Sequence, residues 1–131
     1  MFRINQFALI LILLFSLEAC SNSQTIGALT EKDTGKTVTL KLGDTLLVQL
    51  EGNPSTGYNW EPANTDSKIL TIVGEPEFIA QNKDLVGSGG TVSLRFKATA
   101  AGQEPLKLIY HRSWEKDVAP LQTFEVSIVV K

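Results

Sequence analysis

Five runs of strict alternation limit what this chain can fold into. Val38, Leu40 and Leu42 form the first, and Leu46, Val48 and Leu50 the second. Val92, Leu94, Phe96 and Ala98 follow, then Leu106, Leu108 and Tyr110, then Phe124, Val126, Ile128 and Val130. A period of two puts every apolar side chain of a run on one face of a pleated strand, whereas a helix needs a period near 3.6. Turn residues punctuate the runs: Gly43-Asp44, the polar stretch Pro62 to Lys68, and Ala101-Gly102. No convincing amphipathic helix or internal repeat interrupts this pattern. The expected strands are Lys36–Leu42, Thr45–Leu50, Tyr58–Glu61, Ile69–Ala80, Thr91–Ala98, Gln103–His111 and Leu121–Val130. Ile69–Ala80 is read as one strand, bent where Gly74 and Pro76 interrupt it.

About seven short antiparallel strands in roughly 100 residues imply an all-β, immunoglobulin-like sandwich. The disulfide of antibody domains is excluded, because Cys20 is the sole cysteine. Trp60, early on the third strand, is expected in the core. Successive antiparallel strands run up and then down. The loops after the second, fourth and sixth strands therefore share one end, provided Ile69–Ala80 is a single bent strand. Those loops hold Asn53-Pro54-Ser55-Thr56-Gly57-Tyr58, Gly87-Ser88-Gly89-Gly90 and Arg112-Ser113-Trp114-Glu115.

The first 20 residues have a different character. Arg3 precedes an apolar run from Phe7 to Leu17, broken only by Ser16 and too short to span a bilayer comfortably. It ends in Leu17-Glu18-Ala19-Cys20, which resembles a bacterial lipobox, with Glu18 the departure from the pattern. The expected organisation is a lipoprotein signal peptide over residues 1–19, a short tether over 20–25 starting at a lipidated Cys20, and the sandwich over 26–131. Lipid on Cys20 implies anchoring in the cell envelope. Ser21 is not the aspartate associated with inner-membrane retention, which favours the outer membrane. Ordinary cleavage near Ala19 would instead leave a secreted or periplasmic protein with a free thiol.

The three loops are informative as a set. Pro54 fixes its own φ and biases Asn53 towards extended backbone, and Gly57 admits a positive φ. Such a loop is stiff and projects Ser55 and Thr56. Asn53 to Tyr58 resembles the Asn-Pro-Thr-Thr-Gly-Tyr/Phe motif of the chagasin-like inhibitors of papain-type cysteine peptidases, departing only at Ser55. Gly87-Ser88-Gly89-Gly90 is similar to that family's Gly-x-Gly-Gly. Arg112-Ser113-Trp114-Glu115 is similar to its Arg-Pro-Trp/Phe, with Ser113 in place of proline. The resemblance covers most of the domain, including the order and spacing of the motifs. It implies that the first loop enters a peptidase cleft, with Thr56 against the catalytic Cys–His pair. It implies that the glycine loop lies along the peptidase surface, where absent side chains allow close approach. Trp114 is then a binding anchor, since Trp and Arg dominate interface energetics; its alternative is an aromatic folded over the sandwich rim. The implied activity is reversible inhibition by occlusion, without a covalent bond, cofactor or metal, by a monomer.

Other functions find less support. A single His111 makes a His-based metal site or dyad hard to build, and its neighbour Ser113 is too close in the chain for a catalytic pair. No Gly-x-Ser-x-Gly elbow is present. Gly52 and Gly57 have phosphate-loop spacing, but Tyr58 stands where the lysine must be. Glu75/Glu77 and Glu115/Asp117 are close carboxylate pairs, each expected on one solvated face. The net charge of −2 shows no basic stripe, which argues against nucleic acid. A non-inhibitory adhesion or assembly domain of a surface lipoprotein is the competing reading.

Overall fold

The computed structural model describes residues 24–131. Cys20 and the signal segment lie outside the described residues. Among the described residues there are nine strands: β1 Thr25–Leu29, β2 Thr37–Leu40, β3 Thr45–Gly52, β4 Asn59–Pro62, β5 Leu70–Ile72, β6 Glu77–Ala80, β7 Gly90–Ala98, β8 Gly102–His111 and β9 Gln122–Val130. One sheet has the order β1-β3-β7-β5, with β6 also on β7; the other has the order β2-β9-β8-β4. β1 runs parallel to β3 and β2 parallel to β9, while the remaining pairs are antiparallel. This is the expected sandwich.

The alternation becomes the core. Leu46, Val48 and Leu50 of β3 face Val92, Leu94, Phe96 and Ala98 of β7, and Leu106, Leu108, Tyr110, Phe124, Val126, Ile128 and Val130 close it from the other sheet. Trp60 is buried among them, as expected. Burying a side chain of this size contributes about 1.5–3 kcal/mol, so the apolar face holds the two layers together. At the far end of β3 the buried Asp44 carboxylate accepts the Gln24 and Lys41 N–H groups at 3.3 and 2.8 Å, which pins the start of β1 to the β2–β3 turn.

Several details differ from the sequence expectation. β1 is an additional strand, and Thr25, expected in the tether, is its first residue. Its sequence does not alternate; it is a strand because β3 offers it a free edge. Leu42 is 59% exposed, because β2 ends at Leu40 and the chain turns away before Leu42 can point inward. The expected single strand Ile69–Ala80 is two. Glu77 lies five positions after Ile72, but their partners Phe96 and Ser93 are only three positions apart, so the chain loops out around Gly74 and Pro76. Both pieces remain antiparallel to β7, so the parity argument survives and the three loops do share one end. Gly90 is the first residue of β7 rather than part of the loop.

Gly90 pairs with both Gly52 and Ala80. A Cβ there would overlap the Ile79 carbonyl oxygen and stand 2.8 Å from Ala80 Cα. Backbone atoms on a paired strand have little room to yield. Gly90→Ala is therefore expected to destabilise the domain by about 1–3 kcal/mol, as overpacking does. An unchanged midpoint in urea unfolding would contradict this close approach.

Candidate functional site

The end of the sandwich that carries the three loops is built outward from the core. Trp60 on β4 lies directly opposite Tyr110 on β8. Their rings stack with centroids 5.1 Å apart. Tyr58, two residues before Trp60 and therefore on the same face, stacks on Tyr110 at 5.2 Å. The Arg112 guanidinium covers Tyr58, with Cζ 4.5 Å from the ring centroid. The column thus runs from a buried tryptophan to a rim arginine. Two polar ends of these rings hold the loop base: Trp60 Nε1 donates to the Glu51 carbonyl at 2.9 Å, and the Asn53 N–H donates to Tyr110 Oη at 2.8 Å.

Above this base the first loop is a 3-10 turn over Pro54–Thr56. Asn53 is extended, with φ −142° and ψ 91°, as a residue before proline prefers. Its Oδ1 accepts the Ser55 N–H at 3.2 Å, as an N-cap does. The Asn53 carbonyl accepts the Thr56 N–H at 3.1 Å and Thr56 Oγ1 at 2.6 Å. The Gly57 N–H donates to the Pro54 carbonyl at 3.0 Å. Gly57 ends the turn at φ 86°, where a Cβ would be disfavoured. Ser55 and Thr56 are left exposed at the tip.

The other two loops brace this one. Asn53 Nδ2 donates to the Gly87 carbonyl at 2.9 Å, and Gly87 itself takes φ 78°. Ser88 Oγ donates to the Asn82 carbonyl at 2.9 Å, and the Gln81 N–H to the Gly89 carbonyl at 3.0 Å. From the third loop, Arg112 Nε donates to the Thr56 carbonyl at 3.0 Å, while Nη1 pairs with Glu115 at 3.1 Å. The Glu115 N–H donates to the Arg112 carbonyl at 3.0 Å, so Ser113 occupies the second position of a β-turn. That is a position proline favours. Trp114 lies against Gly57: a Cβ on Gly57 would overlap its Cη2 and stand 3.0 Å from Cζ2. Yet 65% of Trp114 is exposed, so the ring rests by one edge on the first loop and offers the rest to solvent.

All three loops therefore meet, with Asn53–Tyr58 in the middle. Two features were missed in the sequence reading. Tyr110 counted there only as a core residue, although its hydroxyl carries the first loop. Leu85 and Val86 stand exposed on the second loop; the sequence signal was an apolar pair inside an otherwise polar, glycine-rich stretch. Gly90 differs in function from its neighbours, because its missing side chain serves β6 rather than an open surface.

The family described as chagasin family peptidase inhibitor I42 matches residues 39–128, a span that contains all three loops. The chain belongs to the chagasin family of peptidase inhibitors. It is 34% identical to amoebiasin-2 of Entamoeba histolytica over 121 residues, covering 89% of this chain and 95% of that relative. It is 29% identical to chagasin of Trypanosoma cruzi, over 65% of this chain and 80% of that relative. Among solved structures it is similar to the crystal structure of a cysteine protease inhibitor from Entamoeba histolytica, with a TM-score of 0.68 and 29% identity over 82% of this chain and 97% of that one. A chagasin-family chain is a peptidase inhibitor and not an enzyme. In this chagasin-family domain the contact between Gly57 and Trp114 couples two loops directly. Gly57→Ala is expected to cost about 1–2 kcal/mol from the positive φ alone. It should also lift Trp114 off the loop, seen as easier fluorescence quenching while Trp60 stays buried. Unaltered quenching would show that the two loops are not in contact.

Proposed function

We propose that this domain is a reversible inhibitor of papain-like cysteine peptidases that occludes the active-site cleft with three loops. Exposed Ser55 and Thr56 at the tip of a hydrogen-bonded turn form the wedge. Gly87-Ser88-Gly89 on one side and Trp114 on the other form the grips. The observation that carries this reading is the mutual bonding of the loops: Gly87 holds Asn53 from one flank, and Arg112 holds Thr56 from the other. An edge ordered before binding loses little conformational entropy on docking, which leaves more of the contact energy as affinity. The wedge supplies shape rather than a nucleophile, so the inhibition is competitive and reversible. The domain acts as a monomer.

Thr56→Arg places a charge where the wedge is desolvated. It is expected to raise the inhibition constant against papain by about two orders of magnitude or more. Trp114→Ala is expected to raise it by about thirtyfold or more. Serine peptidases remain uninhibited by all three proteins. Unchanged inhibition by a folded Thr56→Arg protein would remove Thr56 as the wedge.

The position of the sole cysteine directly after an apolar run and Ala19 supports lipidation of Cys20, with the domain held at the outer membrane of a bacterial envelope. Losing that thiol removes the atom to which the lipid would be attached. Cys20→Ser is expected to move the protein from the membrane to the soluble fraction. Equal partitioning of both proteins would contradict the anchor.

A further inference from the structure

The first loop is itself a peptide, and in the proposed function it enters a cleft built to hydrolyse peptides. Something must keep it from being cut. Hydrolysis requires the thiolate to reach a carbonyl carbon while the oxygen swings into a set of aligned donors. Carbonyls already engaged within a compact turn are poorly placed for that. The Asn53 carbonyl is taken by Thr56, and the Pro54 carbonyl by the Gly57 N–H. Both bonds are internal to the turn and last only as long as the turn does. The Thr56 carbonyl is different: its donor comes from another loop, through Arg112 Nε at 3.0 Å.

Arg112 is unusually well fixed for a rim residue. Its Nη1 is held by Glu115 at 3.1 Å, and its guanidinium rests on Tyr58, which stacks on the core through Tyr110. The planar fork thus links the third loop, the aromatic column and the turn carbonyl at once. Its side chain is 35% exposed, so it is held from the inside and still open to solvent on the outside.

We propose that Arg112 is a positioning residue that makes the first loop an inhibitor rather than a substrate, by holding the Thr56 carbonyl away from the peptidase's oxyanion donors and keeping the turn closed. This rests on the reading that the loop enters the cleft. Without Arg112 the turn opens, and the peptidase thiolate adds to a carbonyl carbon between Asn53 and Tyr58. The peptide nitrogen then leaves as an amine. One water hydrolyses the resulting thioester, regenerating the thiol and leaving a carboxylate, so two fragments form whose masses sum to that of the intact chain plus one water.

The test uses the purified wild type, Arg112→Ala and Arg112→Lys, each incubated with equimolar papain while residual activity and intact mass are followed. The wild type is expected to stay whole and to inhibit steadily. Arg112→Ala is expected to inhibit at first and then to be cut between Asn53 and Tyr58, about ten- to a hundredfold faster than the wild type, the effect of losing a charge-assisted bond on the open population. Papain activity returns as it is cut. Arg112→Lys keeps a donor within reach of Thr56 and a cation near Tyr58, so it is cut at an intermediate rate. If Arg112→Ala does not fold, Arg112→Lys carries the comparison and must still be cut faster than the wild type at the same bonds. Variants that stay whole while inhibiting more weakly would overturn the proposal, and so would cuts spread beyond Asn53–Tyr58. A wild type that leaves papain fully active removes the proposed function itself, and this inference with it.

Discussion

The functional end of this protein depends on one column of stacked side chains. Trp60, Tyr110 and Tyr58 stack at 5.1 and 5.2 Å, and Arg112 caps them at 4.5 Å from the Tyr58 centroid. Each aromatic pair contributes about 0.5–1.5 kcal/mol beyond area burial, and the cation about 0.5–1 kcal/mol at an exposed site. The consequence for function is positional. Because Trp60 is locked in the core, each ring above it is fixed in turn. The Tyr110 hydroxyl can then hold the Asn53 N–H, and Arg112 can hold the Thr56 carbonyl. Both ends of the first loop are thereby referred to the core of the sandwich.

Glycines divide the remaining work. Gly57 lets the chain leave the 3-10 turn with positive φ and leaves a seat for Trp114. Gly90 lets β6 approach β7 and so fixes where the second loop begins and ends. Asn53 then joins that loop to the first through the Gly87 carbonyl. The three loops behave as one edge because, beside the bonds that close each turn, Asn53–Gly87 and Arg112–Thr56 cross from one loop to another.

Much of this was legible from residue order. Alternation at Leu46, Val48, Leu50 and at Val92 to Ala98 gave the core faces, since only a strand puts such residues on one side. The three motifs placed the candidate loops, and counting strand directions put them at one end. What escaped was set by tertiary neighbours. Thr25–Leu29 has no alternating pattern and is a strand only because β3 has an open edge. The loop-out between Ile72 and Glu77 is a register offset, which no residue type encodes alone. The Tyr110 hydroxyl and the Arg112 guanidinium act across loops distant in the chain, and their partners are backbone groups that every residue carries.

The central claim is that one preformed edge, and no other surface, meets the peptidase. Amide hydrogen exchange of the protein alone and with saturating papain tests it directly. The account predicts added protection confined to Asn53–Tyr58, the loop from Leu85 to Gly89, and Arg112–Glu115. It predicts no change at the opposite end, around Gly43-Asp44 and Ala100–Gly102. Protection at that opposite end, or on a sheet face with the three loops unchanged, would contradict it.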